Sequence, residues 1–81
     1  MKKITTRWLR ARGACAGQVA EFAAEWPLGA DVTPENIVLA HALGLDVRWV
    51  AGNPGTPPAV LAVLAGDADA DVRHCVAGNP A

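Results

Sequence analysis

The sequence is short of the side chains that most enzymes use for covalent chemistry. It contains no serine and no tyrosine, and its two cysteines, Cys15 and Cys75, lie at opposite ends of the chain. A nucleophilic thiol needs a base within hydrogen-bond reach. His74 adjoins Cys75 in the sequence, but neighbouring residues on a helix point apart. We therefore predict that this chain is not an enzyme.

The spacings typical of metal and cofactor sites are missing as well. No Cys-x-x-Cys, Cys-x-x-His or His-x-x-x-His motif occurs, although His41 and His74 could in principle join the two cysteines. A lone cysteine is more often a small buried hydrophobic residue. We expect both cysteines to be buried in this way, with no metal and no cofactor bound.

Long hydrophobic runs are also absent. Lys2 and Lys3 resemble the start of a signal peptide, but charged residues interrupt the stretch that follows, from Ile4 to Arg10. No segment approaches the roughly 20 apolar residues that span a bilayer. These features predict a soluble, cytoplasmic protein with no membrane partner.

Acidic residues are missing from the first part of the chain, where Glu21 is the first of them. Residues 1–12 carry a charge of +5 and the remainder −6, for a net charge of −1. The five cations are Lys2, Lys3, Arg7, Arg10 and Arg12. Three interpretations are open: a contact with an acidic surface, a contact with the acidic end of a second copy, or a solvated helix. Charge runs on small domains are most often solvated.

The residues that the chain does contain in large number have small, apolar side chains. Its 81 residues, 52% of them hydrophobic, are enough for one domain. Apolar spacing predicts helices over residues 4–12 and 14–26, and Pro27 ends the second. A third helix begins with Thr33 as its cap and with Pro34 and Glu35 in its first turn, and it stops at Gly44. No stretch alternates with period two, so the predicted class is all-α, with a loop over residues 28–32.

A tandem repeat occupies the second half. Asp46-Val47-Arg48 recurs as Asp71-Val72-Arg73, and Val50–Pro54 recurs unchanged as Val76–Pro80. Each copy predicts a short helical segment, and a helix starting at Thr56-Pro57-Pro58 joins them. The aspartates suit helix starts, and we expect the valine after each aspartate and the later Val-Ala pair to face inward. The asparagine before proline forces a turn, and the arginine head can reach a neighbouring carboxylate or carbonyl. A period near 25 residues indicates stacked units.

These residues, together with Thr56-Pro57, Leu61 and Leu64-Ala65, resemble the leucine-rich repeat variant family over residues 46–80. The resemblance implies a right-handed solenoid of alternating α and 3₁₀ helices without a sheet, and it implies no chemistry. Residues 8–45 resemble a helical segment found ahead of such repeats in bacterial proteins. We therefore expect a single domain, residues 1–81, in which residues 1–45 form a helical cap and residues 46–81 the repeats.

Little more than one repeat is present, whereas solenoids normally need about three. We expect the open side of the second copy to be covered by residues 1–45 or by a second molecule. This favours a non-catalytic module that serves protein-protein interaction or acts as a scaffold. We expect its partner to be another protein or a second copy of the chain. Nucleic-acid binding through residues 2–12 is the alternative.

Tryptophan and arginine dominate interface energetics, which selects the candidate interaction residues by type. They are Trp8, Arg10, Arg12, Arg48, Trp49, Arg73 and His74. Whether the two tryptophans belong to the core or to an interface stays open at this point.

Overall fold

The computed structural model describes residues 2–80 as a mostly helical chain with one small sheet. The strands are β1 (Lys3–Ile4) and β2 (Ala30–Asp31). The six helices are α1 (Thr6–Ala11), α2 (Ala16–Glu25), α3 (Pro34–Ala42), α4 (Arg48–Ala51), α5 (Pro58–Ala65) and α6 (Ala70–Ala77). Each of these is an α-helix, so the 3₁₀ helices expected from the family resemblance are not found among residues 2–80.

The small sheet corrects the prediction that the chain has no strand. Strands β1 and β2 pair antiparallel, with Lys3 opposite Asp31 and Ile4 opposite Ala30. Two residues per strand are too few for a period-two pattern, and the pairing depends on a contact between distant parts of the sequence. Gly29 allows it, because a Cβ there would lie 3.0 Å from the carbonyl oxygen of Ile4 and the backbone φ is +94°.

The structure confirms the predicted starts of α3 and α5 and shifts the start of α1. Thr33 Oγ1 accepts a hydrogen bond from the Asn36 amide, and Pro34 occupies the first turn of α3, as predicted. The first helix begins later than predicted, because Thr5 is its cap and residues 3–4 are in the sheet. At α5, Pro57 and Pro58 form the predicted start.

In the second repeat copy the cap is Asp69, not the predicted Asp71. The Asp69 carboxylate accepts from the Asp71 amide, and Asp71 lies inside α6. The first copy differs, since Asp46 accepts from the Arg48 amide two residues on. The two copies therefore begin differently, and α4 has four residues where α6 has eight.

A single hydrophobic core joins the predicted cap to the repeats. Buried residues from both halves contact one another in it: Ile4, Phe22, Ala30, Ile37, Val47, Val50, Ala51, Val60, Leu64 and Val72. The predicted inward valine after the aspartate is buried in both copies, as Val47 and Val72. The predicted Val-Ala pair is buried in the first copy, whereas in the second Val76 is half-buried and Ala77 is exposed. Cys75 packs against this core, but Cys15 is exposed, contrary to expectation.

The overall dimensions are 29 × 23 × 22 Å. No axis is much longer than the others, so the right-handed superhelix that the resemblance implies stays a prediction.

The turn between α4 and α5 is fixed by Thr56, the one buried polar residue among residues 2–80. Its hydroxyl donates to the Val50 carbonyl over 2.6 Å. We expect Thr56→Val to lower the free energy of unfolding by about 1 kcal/mol, because valine keeps the volume and removes the donor. Urea unfolding followed by tryptophan fluorescence measures this.

Thr56→Ser, which keeps the hydroxyl and removes the methyl group, is the matched variant. If the serine variant were the less stable of the two, methyl packing rather than the hydrogen bond would hold the turn.

Candidate interaction surfaces

The structure brings three of the predicted interaction residues together in one cluster. The rings of Trp8 and Trp49 meet edge to face, with centroids 6.5 Å apart, and the Arg12 guanidinium lies 3.8 Å from the centroid of the Trp8 ring. Both tryptophans are half-buried, and Trp8 packs against the core. Arg12 therefore occupies a face of Trp8 on which a nucleic-acid base would have to stack.

The two repeat arginines bond within the chain, as the sequence predicted for their heads. Arg48 donates two hydrogen bonds to the Asp46 carboxylate, at 3.0 and 2.8 Å. The Arg48 hydrogen bond holds the pKa of Asp46 below its usual value, against the opposing effect of partial burial. Arg73 donates to the Asp67 carbonyl over 2.6 Å, and His74 is exposed on the same helix.

A polar groove of about 460 Å³ lies beside Arg48, and sequence reasoning did not single it out. His41, Asp46 and Asp69 contribute to its lining. Both lining carboxylates have partners inside the chain: Arg48 bonds Asp46, and Asp69 accepts a hydrogen bond from the Asp71 amide. Nδ1 of the lining His41 imidazole lies 3.3 Å from an oxygen of Asp67. Within residues 2–80 no group of three or more acidic, histidine or cysteine side chains could hold a metal ion.

The remaining cations form what we call the basic surface: Lys2, Lys3, Arg7 and Arg10. All four are exposed, and over residues 2–80 none of them is in an ion pair. Arg7 and Arg10 are three positions apart on α1, so they share its outer face while Trp8 and Leu9 pack toward the core. The Thr5 cap, whose hydroxyl accepts from the Trp8 amide, sets where this helix begins.

Arg10 also lines a groove between α1 and α2 that we call the alanine groove. Its volume is about 300 Å³, and apart from Arg10 its lining is small and apolar. The other lining residues are Ala14, Ala16, Val19, Ala20 and Ala23. The sequence did not predict this groove, because the larger apolar residues of α2 give the stronger signal, and two of them, Val19 and Phe22, are buried. The spacing of Ala16, Ala20 and Ala23 was the available signal.

On another side of α2 lies what we call the acidic edge: Glu21, Ala24, Glu25 and Leu43. These residues line an open groove of about 320 Å³. Leu43 follows α3 and is 42% exposed. Glu21 and Glu25 are exposed and in no ion pair across the described part of the chain. The edge thus combines an accessible leucine with two unneutralised carboxylates.

Comparisons of the chain with protein-family models, curated proteins and solved structures found no match. The resemblance to the leucine-rich repeat variant family therefore stays a prediction. No helix within residues 2–80 is long and apolar enough to cross a membrane.

Proposed function

We propose that this chain is a non-catalytic protein-interaction module that binds its partner through the alanine groove and the adjoining basic surface. One observation carries the proposal: Arg10, an exposed cation in no ion pair within residues 2–80, stands at a groove otherwise lined by methyl and isopropyl groups. The groove suits a segment that presents a large apolar side chain next to carboxylates.

The apolar lining favours a protein over a nucleic acid. Small side chains leave room for a bulky partner side chain, and each buried Å² of apolar surface contributes roughly 25 cal/mol. Phosphates gain nothing from such a surface. The basic surface adds attraction and orientation for acidic partners, which raises association rate and specificity more than affinity.

Nucleic-acid binding through residues 2–12 is the second candidate, supported by the four unpaired cations of the basic surface. Binding of this kind weakens steeply with salt, because phosphate contacts release counterions. Arg12 opposes it by covering a face of Trp8, so a stacking base would first have to displace a cation–π contact.

We also propose that the repeats are stacked as in a solenoid. Asn79 of the second copy donates through its carboxamide to the carbonyls of Ala51 and Asn53 in the first, over 2.7 and 2.8 Å. The sequence predicted a local role for this asparagine. A bond between copies supports stacking, since each unit of a solenoid contacts its neighbours.

The proposal predicts selective binding of an acidic amphipathic helix. The probe is a labelled peptide with leucine flanked by glutamates, compared by fluorescence anisotropy with a labelled single-stranded oligonucleotide at about 0.15 M salt, where charges beyond about 8 Å are screened. We expect the peptide to bind, and Arg10→Glu to weaken it at least tenfold through charge reversal and a blocked groove rim.

Glu35→Arg changes an exposed charge elsewhere and is the control, expected to leave peptide binding within about twofold, since isolated surface charges contribute little. Oligonucleotide binding with steep salt dependence, and no peptide binding, would replace the proposal by the second candidate.

A further inference from the structure

The acidic edge of this chain presents a large apolar side chain next to carboxylates, which are the groups that the alanine groove suits. Leu43 is an accessible large apolar side chain, and Glu21 and Glu25 stand beside it without partners within residues 2–80. We propose that the partner is a second copy of the chain, with Leu43 of one copy entering the alanine groove of the next. This inference rests on the function proposed above.

Charge complementarity supports the second copy as occupant. The groove side presents Arg10, with Arg7 on the same outer face of α1, and the edge presents two carboxylates. Placing Glu25 and Glu21 against these cations neutralises charges that have no ion-pair partner within residues 2–80. Opposite potentials across an interface steer association and set the docking register.

The apolar surfaces of the groove and the edge also support a second copy as the occupant. The groove is lined by small side chains on α2, and Leu43 is the one large apolar residue of the acidic edge. Burying its exposed part against alanine methyl groups removes apolar surface from water on both copies. The polar groove beside Arg48 offers no such match, because its cation, Arg48, is already paired with Asp46.

The arrangement of the two surfaces fixes the kind of assembly. At about 100° per residue, the α2 residues of the groove and those of the edge point about 140° apart around the helix axis. A twofold dimer would need the groove and the edge within the one patch that both copies share, and surfaces about 140° apart around α2 do not lie in one patch. The contact is therefore head-to-tail. A pair of copies keeps one free groove and one free edge for further copies.

The test is the concentration dependence of the sedimentation coefficient of the full chain, at low and high salt. We expect weak association that rises with concentration and falls with salt. Arg10→Glu and Glu25→Arg should each keep the chain monomeric, because each places like charges across the contact. The double variant, and an equimolar mixture of the two single variants, should regain association, since every contact then pairs opposite charges.

Leu43→Ser should weaken association at least fivefold, whereas Val63→Ser, at a similarly exposed apolar position of α5, should leave it unchanged. Circular dichroism of every variant checks that the fold is kept. Association that survives both single charge reversals would overturn the inference. A wild-type chain that stays monomeric while it binds the acidic peptide through Arg10 would also overturn it, and would leave the proposed function standing.

Discussion

Leu64→Ala is expected to cost about 2–5 kcal/mol of the free energy of unfolding, the usual range for a leucine truncated in a packed core. Leu64 lies on α5 with 2% of its surface exposed and belongs to the core shared by the cap and the repeats. A chain of 81 residues has a total stability of roughly 4–12 kcal/mol. The variant should therefore unfold at a much lower urea concentration, or be partly unfolded in buffer.

The matched control is the neighbouring residue, Val63→Ala. Val63 is 38% exposed on the same helix, and alanine is the best helix former, so we expect a loss below about 1 kcal/mol. Urea unfolding followed by tryptophan fluorescence compares the two. Equal losses would mean that the outer face of α5 is covered in solution, contrary to the packing described here.

Asn79→Ala should cost about 2 kcal/mol, the second largest effect. The substitution removes two hydrogen bonds to the carbonyls of Ala51 and Asn53, each contributing about 1 kcal/mol in a partly buried place. The Asn79→Ala variant should also show faster amide hydrogen exchange in α6, because these bonds join the second copy to the first.

Asn53→Ala separates this effect from the general role of asparagine before proline. Asn53 occupies the same motif position in the first copy, but its side chain accepts from the Gly55 amide within its own turn. We expect the smaller loss here, with exchange in α6 unchanged. A larger loss for Asn53 than for Asn79 would contradict a role for Asn79 in holding the copies together.

Asn53 and Asn79 show which features of the repeat the sequence predicts and which it does not. The identical Val-Ala-Gly-Asn-Pro segments predict identical local turns, because proline restricts the residue before it. Nothing in the segment says whether the carboxamide bonds its own turn or the other copy. That depends on which backbone lies alongside, which is a property of the packing of α4 against α6.

The features of the candidate site likewise fall into those that the sequence indicates and those that depend on the packing. The sequence located five cations within residues 1–12 and left their role open. The folded chain decided that Arg12 covers Trp8, whereas Arg7 and Arg10 lie on the outer face of α1. The alanine spacing on α2 was a signal for the alanine groove but could not by itself predict it, since a groove is the space between two helices and alanine at helical spacing is equally typical of a packed interior. The pairing of Trp8 with Trp49 likewise joins parts of the chain that no local pattern relates.

The sequence by itself determined the helical class, the helix starts at Thr33-Pro34 and Pro57-Pro58, the inward valines of the first repeat and the asymmetric charge. These follow from backbone restrictions and hydrophobic periodicity, which act over a few residues. Only the tertiary structure decided that residues 3–4 pair with residues 30–31, that Cys15 is exposed, and that the cap and repeats share one core. Each of these depends on contacts between residues far apart in the chain, where local propensity carries no information.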